Sequence, residues 1–162
     1  MFLDRHDQRL LDLLQQNNQQ TYQQLGDQLG LSDTAMRRRA RRLRADGVIS
    51  ADVSLVDPAK LGVTVIVSIR FEKESHETYA AFKKQMAACK PVSQCYTVSG
   101  EVDFMLIAHF QDLEKYDAWV GNNILNNPNI ARSTTNVVYT RVKFDTAIPI
   151  ESGHSTPPEA AG

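Results

Sequence analysis

The stretch TYQQLGDQLGLSDTAMRRRARRLRADGVI, residues 21–49, decides how the first third of the chain folds. Thr21-Tyr22-Gln23-Gln24 reads as a capping box: the Thr21 hydroxyl can accept the Gln24 N–H while the Gln24 side chain reaches back. Leu25 and Leu29 form the buried side of a short helix, and Gly30 stands at a C′ position that tolerates positive φ. Leu31-Ser32 follows. Ser32 can cap a further helix that runs to about Asp46 and stops at Gly47. Two helices joined by about four residues that include Gly make a helix-turn-helix.

The second of these helices carries the chemistry. At about 100° per residue, Met36, Ala40 and Leu43 fall on one face and Arg37, Arg38, Arg41 and Arg42 lie roughly opposite. Arg39 and Arg44 flank the apolar face. In a helix-turn-helix this helix enters the major groove and its N-terminal residues touch base edges. Here those residues are Ser32, Asp33, Thr34, Arg37 and Arg38. Arginine can hold guanine O6 and N7 together, and Ser or Thr can serve bases or phosphate. Arg41, Arg42 and Arg44, further along, suit phosphate neutralisation, which adds affinity and salt dependence rather than sequence information. With Thr21, these residues are the candidate DNA contacts. A solvated helix face used for protein contact is the plainer alternative, but the turn and the arginine cluster point independently to DNA.

Working outward, Leu3, Leu10, Leu11 and Leu14 place one apolar stripe on a preceding helix, with Asp4 as its N-cap and Asp7 favourable in its first turn. Downstream, Val48-Ile49 and Val53-Ser54-Leu55-Val56 read as a short β-hairpin, a wing or a support for the linker. Asp57-Pro58 breaks the pattern.

Net charge is −1 over 162 residues, which by itself speaks against nucleic acid. Its distribution does not. Residues 1–56 hold eight Arg and seven Asp, and six of those Arg fall between Arg37 and Arg44. Residues 57–147 balance ten basic against ten acidic groups, and the tail adds only Glu151 and Glu159. A local basic patch on a neutral protein is an electrostatic footprint. The 42% apolar content suffices for a core and excludes collagen-like and wholly disordered classes. No apolar run approaches the roughly 20 residues of a bilayer span, and the first residues do not resemble a signal peptide, so a cytoplasmic location is expected. Cys89 and Cys95 form no CxxC pair and are expected as reduced core cysteines.

The remainder reads as β-α-β-β-α-β. Val63, Val65, Val67, Ile69 and Phe71 alternate with Thr64, Ile66, Ser68 and Arg70. Ser75 caps a helix carrying Tyr79, Phe82 and Met86. Val92 to Val98 is a second strand, and Ser99-Gly100-Glu101-Val102 turns the chain. Phe104 to Phe110 is nearly continuous in apolar residues, which predicts a central strand buried on both faces. Asp112 caps a helix with Leu113, Tyr116, Val120 and Ile124 on one side. Asn126-Asn127-Pro128-Asn129 turns, and Val137 to Phe144 is expected as the last strand. That order is the ferredoxin-like split βαβ. Both helices would cover one sheet face, and a second subunit is the simplest cover for the other.

The expected fold is therefore α+β: a helix-turn-helix domain over residues 1–56, with or without a wing, a linker over 57–62, a βαββαβ domain over 63–147 and a flexible tail over 148–162.

Three stretches resemble one known family. LDRHDQRLLDLLQQN is similar to the opening helix of the Lrp/AsnC (feast/famine) transcription regulators. Residues 21–49 resemble their helix-turn-helix, with Leu-Ser after the turn and the Gly-Val-Ile close. YTVSGEVDFML resembles their Gly-x-x-Asp turn. The likeness spans roughly Leu3 to Ile148. It implies dimers that assemble into octamers, an amino-acid effector held at subunit interfaces of the second domain (a RAM-type domain), and control of amino-acid metabolism or transport genes. It also implies an effector site at Ser99, Gly100, Glu101 and Asp103, completed by Thr134, Thr135 and Asn136. An amino-acid zwitterion needs donors for its carboxylate, which N–H groups around Gly100 can supply, and an acceptor for its ammonium, which Asp103 or Glu101 can supply. A tight turn is the plainer use of Gly100 and Asp103. SDTAMRRRAR departs from the family's usual recognition helix, so the operator is expected to differ.

Catalysis is not expected. The four histidines are scattered, and no HExxH, GxSxG, P-loop, dinucleotide fingerprint or Cys/His metal spacing is present. His109 on the central strand reads as a satisfied core or interface histidine. Siroheme decarboxylases resemble the same fold, but their catalytic His- and Arg-rich stretch is replaced here by CYTVSGEVDF. A metabolite sensor without DNA binding is the other alternative, and the arginine cluster opposes it. Duplex DNA and a small effector are the expected partners, and no cofactor or metal is expected.

Overall fold

The computed structural model describes residues 3–150. It divides into two compact units, one formed by the chain up to Ser54 together with residues from Lys143 on, the other by Leu55–Val142.

In the first unit, α1 (Arg5–Gln16), α2 (Tyr22–Leu29) and α3 (Asp33–Ala45) form a three-helix module. Asp4 and Asp7 make a capping box at the start of α1, and Thr21 and Gln24 make another at the start of α2. Gly30 ends α2 at φ 68°, a conformation that costs any residue with a Cβ. Ser32 caps α3 by accepting from the Ala35 N–H at 3.2 Å. Leu10, Leu11, Leu25, Leu29, Met36, Ala40 and Leu43 bury against one another as the core.

The expected hairpin after α3 does not form. The N–H groups of Val48 and Ile49 both donate to the Leu43 carbonyl, at 2.9 and 3.1 Å. They close the helix end and pack on its core instead of pairing as a strand. Residues 50–57 carry no strand. The expected tail also differs at its start. Gln15 and the backbone of Ile148 exchange two hydrogen bonds, at 2.8 and 3.1 Å, and Ile150 packs against the helical core. Residues 151–162, expected as flexible, lie outside the described residues.

The second unit is a four-stranded antiparallel sheet of β1 (Val63–Phe71), β2 (Val92–Thr97), β3 (Phe104–Phe110) and β4 (Ile130–Val137), ordered β2-β3-β1-β4. Helices α4 (His76–Ala87) and α5 (Leu113–Val120) connect the strands, α5 continuing into a wide turn at Gly121–Leu125. The core joins Val65, Val67, Ile69 and Phe71 to Phe82, Met86, Phe104, Leu106, Trp119 and Ile124.

Three expectations for this unit change. The last strand lies seven residues earlier than Val137–Phe144. The Asn126–Asn129 turn delivers the chain to the sheet at once, so Ile130 pairs with Phe71 and the ladder runs to Val65 opposite Val137. The Val138 N–H still reaches the Thr64 carbonyl at 2.9 Å. There β1 begins, and residues 139–144, despite Tyr139, Val142 and Phe144, have no strand left to pair with. Strand β3 is central but buried on one face only: Phe104, Leu106, Ala108 and Phe110 are buried, while Met105, Ile107 and His109 are half-buried on the other face. Leu113, expected on the inner side of α5, is exposed at its first position. Of the two cysteines, both free, Cys89 packs on the core and accepts the Trp119 indole N–H at 3.0 Å, whereas Cys95 is exposed rather than in the core.

Candidate nucleic-acid interface and effector-side turn

Helix α3 buries Met36, Ala40 and Leu43 and turns its arginines outward, as its periodicity requires. Those arginines fall into two groups. Arg39 is held from behind: it donates to Asp4 at 2.6 Å and to Asp7 at 2.7 Å. Arg42 also donates to Asp7, a carboxylate that is 1% exposed. Arg44 forms a two-pronged pair with Asp52, at 2.8 and 2.9 Å, and a bond to the Tyr22 hydroxyl at 3.3 Å. The Asp52 hydrogen bonds and charge hold the Arg44 guanidinium above its ordinary pKa, and Arg44 in turn lowers that of Asp52.

Arg42 and Arg44, expected at phosphates, are also engaged by acids within the fold while keeping part of their surface exposed. The acids that pair with them come from α1 and from the segment after α3. Arg38 and Arg41 are exposed and, among the described residues, have no acidic partner. Arg37 pairs weakly with Asp33 one turn back, at 3.3 Å, and lies 5.0 Å from the centroid of the Tyr22 ring. Thr34 is exposed beside them. Ser32 and Thr21 are spent on their caps, Thr21 accepting from the Gln24 N–H at 3.2 Å.

Three residues that hold these arginines escape a reading by motif alone: Asp7, Tyr22 and Asp52. Only Asp7 leaves a signal, since it stands on the apolar stripe of Leu3, Leu10, Leu11 and Leu14, where an acid needs a partner.

The turn between β2 and β3 splits its expected residues by role. Ser99, Gly100 and Glu101 are exposed, and Gly100 has φ 125°. Both oxygens of Asp103 already accept a hydrogen bond within the fold. One oxygen accepts the Phe71 N–H at 2.7 Å and the other accepts the Tyr79 hydroxyl at 2.5 Å. Burial, then the hydrogen bond and charge of Asp103, push Tyr79 up to about 12. Asp103 therefore ties the turn to β1 and α4 and positions the exposed loop.

Thr134, Thr135 and Asn136 lie on β4 opposite Ser68, Val67 and Ile66. Residues opposite one another in an antiparallel pair share a face. Thr135 therefore lies on the helix side, where it bonds the Tyr116 hydroxyl, while Thr134 and Asn136 lie on the open side. Strand β1 lies between β4 and β3, the strand that follows the Ser99–Glu101 turn. On the open face His109 bridges the hydroxyls of Thr64 and Ser93, each at 3.0 Å, and burial lowers its pKa. Among the described residues no cluster of three or more His, Cys, Asp or Glu could hold a metal, and no helix is long and apolar enough to cross a membrane.

Residues 3–50 match a winged helix-turn-helix DNA-binding domain, and residues 64–148 match the Lrp/AsnC ligand binding domain. An uncharacterised HTH-type transcriptional regulator of Sinorhizobium fredii is 42% identical, over 93% of this chain and 90% of its own length. An AsnC family transcriptional regulator from Agrobacterium tumefaciens superposes with a TM-score of 0.82 at 32% identity, covering 90% of this chain and 96% of that one. A Neisseria meningitidis transcriptional regulator, solved as an L-Met complex, shares the fold with a TM-score of 0.83 at 23% identity, covering 91% of this chain and 97% of that one. An arginine-faced recognition helix ahead of a βαββαβ ligand-binding unit, matched over nearly the whole length, makes this chain a member of the Lrp/AsnC family of DNA-binding transcriptional regulators.

Proposed function

We propose that the protein reads specific operators in the cytoplasm and that an amino acid bound to its second unit changes how it does so. The observation that carries the DNA half is the pair Arg38 and Arg41, exposed on α3 and, among the described residues, without acidic partners, on a helix anchored from behind through Arg39 and Arg42. Thr34, Arg37 and Arg38 stand near the N-terminal end of α3, where base edges are met. Arg41 stands a turn further, where phosphates are met.

The effector half rests on the exposed Ser99–Glu101 turn and on the Neisseria meningitidis relative solved with methionine. Thr134 and Asn136 lie on β4, with β1 between it and β3, and a pocket drawing on two copies would bring them together with that turn. A second copy is also supported by Tyr139, Val142 and Ile148, which are 96%, 95% and 70% exposed. Dimers that assemble further would place several recognition helices on one particle, able to wrap or bridge DNA. Effector and DNA affinities are then reciprocally coupled.

The test is titration of the purified protein with each amino acid while following oligomer mass and affinity for operator DNA. At least one amino acid is expected to shift one of them. If none shifts either, the effector half falls and the DNA half stands.

A further inference from the structure

Of the exposed arginines on α3, Arg37 alone lies on an aromatic platform among the described residues. Its guanidinium carbon sits 5.0 Å from the centroid of the Tyr22 ring, and its Nη2 is 3.3 Å from Asp33 Oδ1. Tyr22 is itself fixed. It opens α2, directly after the Thr21 cap, and its hydroxyl accepts from Arg44 Nη1 at 3.3 Å. Arg44 is in turn clamped by both oxygens of Asp52. Tyr22, Asp33, Arg37 and Arg44 line a solvent-open groove of about 400 Å³ with Leu14 and Gln20.

A free arginine samples many rotamers, and that freedom is lost when it binds a base bidentately. A ring beneath the guanidinium plane removes part of the loss in advance, because the stacked cation already holds a narrow set of orientations. Arg38 and Arg41 have no such support. Arg41, a turn further along, suits phosphates, which accept a cation from many directions.

We infer that Tyr22 is a positioning residue for sequence reading: its ring pre-orients Arg37 to grip one guanine of the operator. This rests on α3 being the helix that reads bases. The residue would set selectivity while contributing little to general affinity.

The experiment uses the full chain. A duplex is selected from a random pool by the unchanged protein, and a scrambled duplex serves as the reference at the same salt. Affinity for both is measured for Tyr22→Phe, Tyr22→Leu, Arg37→Ala and the double variant Tyr22→Leu with Arg37→Ala. Tyr22→Leu is expected to lower the ratio of selected to scrambled affinity roughly tenfold, within the discrimination that one bidentate arginine–guanine pair supplies. Its affinity for the scrambled duplex and the salt slope should stay unchanged. Tyr22→Phe keeps the ring and should keep the ratio within about twofold, because the cation–π platform survives. Adding Arg37→Ala to Tyr22→Leu should cost little more than Arg37→Ala alone. Equal losses on both duplexes, an unchanged ratio, or fully additive losses would overturn the proposal alone. Failure of the unchanged protein to enrich any sequence would overturn the assignment of α3 as a base reader, and the proposal with it.

Discussion

Arg39 of α3 donates to Asp7 of α1 at 2.7 Å, and Asp7 is 1% exposed. The helix that presents guanidinium groups to the outside is thus bound to the first helix by a buried carboxylate as well as by leucines. Asp7 also caps α1 and receives Arg42, so three demands converge on one side chain.

Asp7→Asn should therefore destabilise the helical unit by about 2–3 kcal/mol, since a buried charge partner is lost while two guanidinium groups remain. Thermal unfolding followed by circular dichroism measures this. A shift equivalent to less than about 0.5 kcal/mol, the ordinary range of surface changes, would show that the pairs add nothing.

Arg41→Ala and Arg44→Ala should separate two uses of the same residue type. Arg41 lacks an acidic partner among the described residues, so its loss should weaken binding to all duplexes alike and flatten the salt dependence by about one unit. Arg44 is engaged by Asp52, so its replacement should change the salt slope by less than half that and act mainly on stability. Equal slopes for the two variants would contradict the division.

Gly26→Ala should be costly although alanine is the better helix former. A Cβ at Gly26 would stand 2.3 Å from the Leu31 carbonyl oxygen, a backbone atom that can move only with the whole turn. Overpacking there is expected to cost about 3 kcal/mol. Gly30→Ala meets no neighbour but has to adopt φ 68°, which costs about 1 kcal/mol. Chemical denaturation of both variants should rank them in that order, and the reverse ranking would refute the packing account.

His109 should make the second unit sensitive to mild acid. Burial lowers its pKa below the ordinary 6.5, so the unfolded chain takes up the proton first. Stability from this group is complete above pH 6.5 and is lost as pH falls through the lower folded value. Replacing His109 with Asn should flatten the decline in the thermal midpoint between about pH 7 and pH 5. An unchanged pH profile in the variant would remove His109 from the explanation.

The helical unit was legible because its signals are local. Each cap in it, at Asp4, Thr21 and Ser32, depends on residues within three positions, and Met36, Ala40 and Leu43 repeat at helical spacing. What the sequence hid depends on partners distant along the chain. Val137 to Phe144 has the composition of a strand, but pairing is decided by where β1 begins, at Val63, and Ile130–Val137 occupies that ladder first. Arg42 and Arg44 read as phosphate ligands, and nothing in the helical spacing shows that Asp7, 35 residues away, and Asp52, eight residues on, also pair with them. Asp103 reads as a ligand for an ammonium group, and the sequence does not show that Phe71 and Tyr79 also bond its oxygens. In each case periodicity named the right residue type and could not name its partner.

The central claim, a regulator that recognises particular DNA sequences, is tested most directly by incubating the purified protein with fragments of its own genome at physiological salt and sequencing what is retained. Sharp enrichment of a few upstream regions is the predicted result, and the genes beside them would indicate which amino acid to titrate. Retention without preference, or no retention, would contradict it.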